Sequence, residues 1–368
     1  MPSPRATQTR NRALTRNAET CYTTRHETRS PPPEPSSICL THQASQKIAL
    51  MSFFCAILVV IIHVANVSDQ QPRLLAFITR IAVPWFFLIS GYFGFRSLQS
   101  QGYQALIKNR LRTLAIPFFL INAIWLVGHN LLSSGMALAF GRTDTTNWSL
   151  AYILSALGFN LSTPIVSPTW YMRCLFLFLL LMPLFICIMR TKWCARVFVL
   201  VSFVFSCAYE YYEMDIFPLH GFNIRGLSFF LLGGLFYLEG RTNPLRPIYA
   251  LIALPLAVLC NCLAFKIPAI ACLIATLWCV IPSVGWNWPR SANFPIYILH
   301  RIIHRCLLVA LSILGIQESK GILIGLVLLC VAISLLTACI LERVAPHFAQ
   351  LLFGGRAKSV HNPDRCSV

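Results

Sequence analysis

Charge is what this chain has least of. Charged side chains make up 11% of its 368 residues, and only 12 residues are acidic, whereas roughly a quarter of a soluble domain is usually charged. With 57% hydrophobic residues and a mean hydropathy of +0.66, the composition excludes an ordinary water-soluble globule and requires lipid as solvent. Strict apolar and polar alternation is also missing, which excludes a transmembrane barrel. The 15 cysteines include no C-x-x-C pair and no zinc-type spacing. Most sit inside apolar runs and read as small buried hydrophobes, not as a disulfide framework or a metal site. No internal repeat is evident, which weighs against transporter architectures built on inverted repeats. No polar stretch is long enough for a second domain.

What is present is a succession of apolar runs rich in Phe, Leu, Ile and Val, such as Ser52 to Val67 and Leu175 to Ile188. A helix needs about twenty apolar residues to cross the hydrocarbon. The runs predict an all-α, polytopic integral membrane helical bundle with about ten transmembrane helices, near 48–67, 75–97, 111–133, 169–189, 195–212, 224–240, 246–264, 267–286, 292–315 and 320–343. Basic residues near helix ends are retained on the cytoplasmic side. With ten spans and a cytoplasmic amino terminus, the inside segments hold Arg96, Lys108, Arg110, Arg112, Arg190, Lys192, Arg196, Arg241, Arg246, Arg290, Arg343, Arg356, Lys358 and Arg365. The outside segments hold only Arg73, Arg142, Arg225, Lys266 and Lys320. Both termini are therefore expected to be cytoplasmic. This topology explains the formal charge of +18 without a nucleic-acid partner, because the basic residues lie in short loops and in the amino-terminal tail and form no binding face.

Residues 1–46, rich in Thr, Arg, Ser and Pro, read as a disordered basic tail without the apolar core of a secretory signal. The composition also resembles an organellar transit peptide, and a mistaken upstream start codon would produce the same picture. Residues 344–368 read as a cytoplasmic C-terminal tail. The longest external connection, Ser134 to Pro168, suits a folded cap or re-entrant loop, and a plain solvated linker equally.

Polar residues inside the apolar runs carry the functional signal, because hydrocarbon offers them no partner. His63 lies near the end of the first span, roughly 22 Å from its cytoplasmic start at about 1.5 Å per residue. A neutral imidazole there suits a general base toward a hydroxyl, and equally an interfacial ring bonded to a carbonyl. In the second span, Ser90 and Gly91 follow Pro84 and allow either close helix packing or exposure of backbone groups to a ligand. Lys108, Arg110 and Arg112 precede Ile116-Pro117-Phe118 at the cytoplasmic mouth of the third span. They suit phosphates of a nucleotide-containing donor, and equally topology and lipid headgroups. In the ninth span, His300 and His304 share a face beside Arg301 and Arg305, and His300 is placed roughly 12 Å deep at about 1.5 Å per residue. Four such residues favour a polar cavity. No H-E-x-x-H glutamate accompanies the two histidines, so no metal is assigned.

In this order, His63 ending the first span, Pro84-Trp85-Phe86-Phe87-Leu88-Ile89-Ser90-Gly91-Tyr92-Phe93, Arg110-Leu111-Arg112 before Ile116-Pro117-Phe118, Pro168-Thr169-Trp170-Tyr171-Met172-Arg173, and Phe294 to His300 resemble the acyltransferase 3 family of membrane acyltransferases over residues 47–343. The resemblance implies an enzyme that moves an acyl group, commonly acetyl, to a hydroxyl or amine of a surface polysaccharide or other glycan. Its donor would be acetyl-CoA or another acyl-CoA arriving from the cytoplasm, with no permanently bound cofactor. Membrane lipids would be its other partners, and the bacterial inner membrane its location. Carried over, His63 resembles the catalytic base, Arg110 and Arg112 donor contacts, and Ser90 with Gly91 part of a central cavity lined also by Trp170 and Arg173. His300, Arg301 and Arg173 are candidates to steady the oxyanion. The family usually has an Arg eleven residues before the first-span His, where this chain has Ser52. Lys47 and Arg301 are candidates to replace that cation. A transporter or flippase, in which the same residues bind substrate or relay protons, and a catalytically inactive relative are the competing readings.

Overall fold

In lipid each backbone N–H and C=O must find its partner within its own segment, and the long apolar runs of the sequence are accordingly helical. The computed structural model describes residues 41–65, 73–140, 148–159, 164–212, 223–240, 247–263, 265–283, 292–316 and 320–355, all in one unit that begins at Leu40. No strand occurs among them. The helices are α1 (His42–Ala65), α2 (Arg73–Thr79), α3 (Ala82–Gln101), α4 (Tyr103–Arg110), α5 (Ile116–Phe140), α6 (Leu150–Ala156), α7 (Trp170–Leu180), α8 (Met182–Ile188), α9 (Lys192–Tyr211), α10 (Ile224–Leu238), α11 (Ala250–Cys262), α12 (Lys266–Val280), α13 (Asn293–Ile313), α14 (Lys320–Val344) and α15 (Pro346–Leu352).

Helix is present in each of the ten expected segments, but among the described residues six helical runs have by themselves the length and apolarity to cross a bilayer: His42–Val64, Leu74–Gln101, Tyr103–Asn130, Lys192–Tyr211, Asn293–Ile313 and Ile322–Val344. The expected span 169–189 is a pair of helices, α7 and α8, bent by 54°. Pro183 in the first turn of α8 has no N–H to give and its ring crowds the carbonyl four residues back, which interrupts the run. The helices α10, α11 and α12 have 15, 13 and 15 residues, about 20–23 Å at a rise of about 1.5 Å.

Other boundaries depart from the sequence reading. Residues 1–40 of the expected tail lie outside the described residues, whereas 42–46 already belong to α1. Part of the expected C-terminal tail is α15. Its following Gly354, at φ +65°, packs so closely on Thr113 that a Cβ would lie 2.8 Å from the Thr113 carbonyl. That carbonyl is available because Pro117 has no N–H for it, and the same proline accounts for the widened turn of Leu111–Ala115, closed by Ile116 N–H on the Leu111 carbonyl. Through this turn α4 runs into α5, so the basic residues expected at the mouth of the third span are built into its helix.

The tightest helix pair is α3 with α10. Phe87 meets Gly226, Gly91 meets Phe230, Phe95 meets Gly234, and the Tyr237 hydroxyl donates to Gln99 Oε1 at 2.8 Å. Contacts advance together along both chains, so the helices are parallel. A Cβ on Gly91 would lie 1.9 Å from the Phe230 carbonyl, and one on Gly233 1.9 Å from the Leu88 carbonyl. Small residues here let the backbones touch while Phe87 and Phe95 occupy the hollows over Gly226 and Gly234, a packing suited to lipid, where hydrophobicity alone cannot hold two helices together. The helix α9 runs antiparallel to α10, fixed by Arg196–Glu239 (2.6 Å) at one end and Glu210–Arg225 (3.7 Å) at the other.

Candidate active site

The last turn of α1 and the first half of α13 bring two histidines together. The imidazoles of His63 and His300 lie 5.1 Å apart between centroids, tilted by 37°. His63 is partly buried and faces inward onto His300, which is 0% exposed.

The carbonyl of Ile296 lies 3.0 Å from His300 Nδ1. A carbonyl only accepts, so in the neutral ring Nδ1 carries the hydrogen and Nε2 presents a lone pair. That Nε2 is buried without a hydrogen-bond partner among the described residues, as is Nε2 of His304. Arg301 Nη1 donates to the backbone carbonyl of His63 at 3.3 Å and lies 3.5 Å from His304 Nδ1. The guanidinium thus ties the end of α1 to α13, and its charge stands next to both histidines. Buried acceptors left without partners are rare in folded proteins and ask for an explanation, a bound substrate among them.

An aromatic wall continues from the histidines. Tyr297, 6.5 Å from His300 between centroids, donates its hydroxyl to the Pro168 carbonyl. Tyr171 stands 5.8 Å from Tyr297 and 4.6 Å from Phe87, and its hydroxyl shares a hydrogen bond of 3.0 Å with Ser90. Arg110 lies within electrostatic range of Tyr171, and its Nε is buried without a partner among the described residues. The structure therefore gathers His63, Ser90, His300, Arg301 and Arg110 around Tyr171 and Tyr297. Arg112, two residues on and so on the opposite side of the helix, is exposed.

The other sequence candidates are placed elsewhere. Gly91 is occupied in the contact with α10, which assigns it to packing. Arg173 Nη1 donates to the Gly158 carbonyl at 2.9 Å, holding the end of α6, where Gly158 has φ +80°, against α7. Asn122, buried at 0%, completes this anchor: its Oδ1 accepts from Val166 N (3.0 Å) and its Nδ2 donates to Thr169 Oγ1 (3.0 Å) and the Phe118 carbonyl (2.7 Å). The connection between α5 and α7 is thus pinned to the bundle over its described residues.

Trp170 lines a cavity of about 310 Å³ together with Arg80, Phe87, Glu210, Arg225 and Lys266. His63 is not among its lining residues. Ser52, which stands where the family usually has Arg, accepts a hydrogen bond from Trp85 Nε1 at 3.1 Å. The Trp85 ring lies 5.8 Å from that of Trp278, tilted by 35°, and the Trp278 carbonyl accepts from Lys47 Nζ at 3.2 Å. A cation from one and a half turns earlier on α1 thus reaches the cluster that contains Ser52. Among the described residues no three His, Cys, Asp or Glu side chains are grouped to hold a metal ion.

Sequence reasoning gave no role to Tyr171, Tyr297 or Asn122. The asparagine was the most visible of them, a lone amide between Phe118 and Leu126. Comparison with curated proteins and with solved structures finds no match for the chain. Residues 47–343 match the family model for the acyltransferase domain, and this multi-pass helical membrane protein belongs to the acyltransferase 3 family.

Proposed function

We propose that the chain crosses the membrane ten times with both termini cytoplasmic and transfers an acyl group, acetyl foremost, from acyl-CoA to a hydroxyl or amine of a glycan outside the cell. The bacterial inner membrane is the location this reading assigns. The carrying observation is the contact of His63 with His300 beside Arg301, in which a lone pair on His300 Nε2 is held inside the protein with no hydrogen-bond partner among the described residues.

In the reaction the acceptor oxygen attacks the thioester carbonyl while an imidazole removes its proton. His63 takes that role, with His300 positioning it through the ring contact. The carbon–sulfur bond then breaks, and the thiolate leaves with the proton the imidazole had taken. Arg301 is the cation nearest both rings and supplies charge toward the developing oxyanion. Arg110, buried near Tyr171, and the exposed Arg112 receive the phosphates of the donor. Ser90 orients Tyr171 in the wall between donor and histidines. Support for the topology comes from charge: basic α4 follows directly from the end of α3 where Gln99 and Tyr237 meet.

The test is transfer of a labelled acetyl group from acetyl-CoA by purified protein in nanodiscs, with mass spectrometry of surface glycans from cells with and without the protein. Release of CoA with acylation of glycan supports the reading. Transport of substrate without release of CoA assigns the site to a transporter or flippase, and neither activity assigns an inactive relative, for which Ser52 is the feature on record.

A further inference from the structure

The cavity that contains Trp170 is built from four ends of helices, and its described lining residues carry a net positive charge. Arg80 stands just before α3, Glu210 near the end of α9, Asn223 and Arg225 at the start of α10, and Lys266 at the start of α12. Glu210 Oε1 pairs with Lys266 Nζ at 3.1 Å and with Arg225 Nη1 at 3.7 Å. Among the described residues one carboxylate faces three cations, and the side-chain contact of Arg80 is with the neutral Asn261 Oδ1, at 3.4 Å. The carboxylate is nearly buried, at 9% exposed, whereas Arg225 and Lys266 remain 50% and 45% exposed, so their remaining donors face the cavity or solvent. The first turn of α10 adds its partial positive charge at the same place.

Position makes this charge informative. Arg225 and Lys266 belong to the few basic residues on the segments assigned to the outside, where the rule of topology disfavours them. Both meet here, with Arg80. The lining also includes the aromatic residues Phe87, Trp170 and Phe229. A volume of about 310 Å³ suits a small ligand with one flat face and one charged group. Phe87 is also in contact with Tyr171, so the cavity shares a wall with the candidate active site.

We infer that this cavity is the acceptor subsite and that the acceptor is an acidic glycan, whose sugar ring lies on Trp170 and whose carboxylate or phosphate is held by Arg80, Arg225 and Lys266. Glu210 keeps the latter two cations in place and sets the site's net charge. The inference rests on the acyltransferase reading for the word acceptor, and its test is independent of turnover.

Binding is measured without acyl-CoA, in nanodiscs of phosphatidylcholine, with an oligosaccharide ending in a uronic acid, the same oligosaccharide reduced to the neutral sugar, a sugar phosphate, and short-chain phosphatidylglycerol. The acidic oligosaccharide or the sugar phosphate binds about tenfold or more tightly than the neutral one, the order expected when charge-assisted hydrogen bonds are lost, and the preference shrinks with salt. Arg80→Gln and Lys266→Gln each reduce it. Glu210→Gln, which removes the negative charge among the described lining residues, strengthens acidic binding and serves as a second, opposite reading of the same site. Equal affinity for acidic and neutral sugars overturns the inference. So does tighter binding of the phosphatidylglycerol, which assigns the cations to a lipid headgroup. Acidic binding without acyl transfer sinks the enzyme reading alone, and transfer without acidic preference sinks the subsite alone.

Discussion

His63 and His300, on helices far apart in sequence, meet ring to ring at 5.1 Å, and Arg301 donates to the backbone carbonyl of the former. One histidine in an apolar segment has several ordinary explanations. Two in contact, one of them with a buried ring nitrogen that has no hydrogen-bond partner among the described residues, turn polar groups into the interior of the bundle.

His63→Ala is expected to lower acyl transfer by at least about a hundredfold, the usual yield of a positioned general base, with membrane insertion unchanged. His300→Ala lowers turnover by a smaller factor and leaves the donor KM unchanged, because it acts through the His63 ring. His300→Asn, whose amide can donate to the Ile296 carbonyl, retains the helix contact but not the ring and does not restore the rate. Full activity in His63→Ala removes that residue from the mechanism, and a His300 effect confined to protein yield removes the positioning role.

Arg110 and Arg112 separate the donor contact from simple topology. Arg110 is partly buried with an unpartnered Nε, whereas Arg112 is exposed. Arg110→Gln is expected to raise the KM for acetyl-CoA several-fold more than Arg112→Gln, with little change in kcat. Equal effects in initial-rate measurements on the two purified variants would point to a general electrostatic attraction of the donor.

Asn122→Leu tests how the connection between α5 and α7 is held. The substitution leaves Val166 N–H and the Thr169 hydroxyl without the amide they use, and a buried polar group left unpaired costs about 1–3 kcal/mol. A lower thermal midpoint and faster proteolysis between α5 and α7 are expected. An unchanged midpoint and cleavage rate would show that Arg173 alone pins the segment.

The helices and the chemistry-bearing residues were legible because a polar side chain in an apolar run is conspicuous. His63, His300 and Arg301 needed no structure to be noticed, but nothing in the sequence says that α1 and α13 touch. Tyr171 and Tyr297 escaped because tyrosine is ordinary at a membrane interface. The cavity escaped because Arg225 and Lys266 read one at a time as minor topological charges, while Arg80 and Glu210 fall at helix ends. The bend at Pro183 was hidden inside a hydrophobic run whose average apolarity is that of an unbroken span.

Ser90 and Gly91 are adjacent and were read alike, yet helical geometry turns them in different directions. The first bonds to Tyr171 and the second lies against the Phe230 carbonyl. A methyl group at position 91 has no side chain to displace, only backbone, so α3 and α10 must move apart and lose the seating of Phe87 and Phe95. Gly91→Ala is expected to destabilise by about 1–3 kcal/mol, the range for overpacking a core. Gly128→Ala, where a Cβ would meet nothing within 4 Å, is expected to be neutral or stabilising by up to about 1 kcal/mol from helix propensity. Thermal unfolding of both variants in one detergent decides the matter: equal midpoints would mean that the α3 and α10 backbones are not in the contact that makes glycine necessary at position 91.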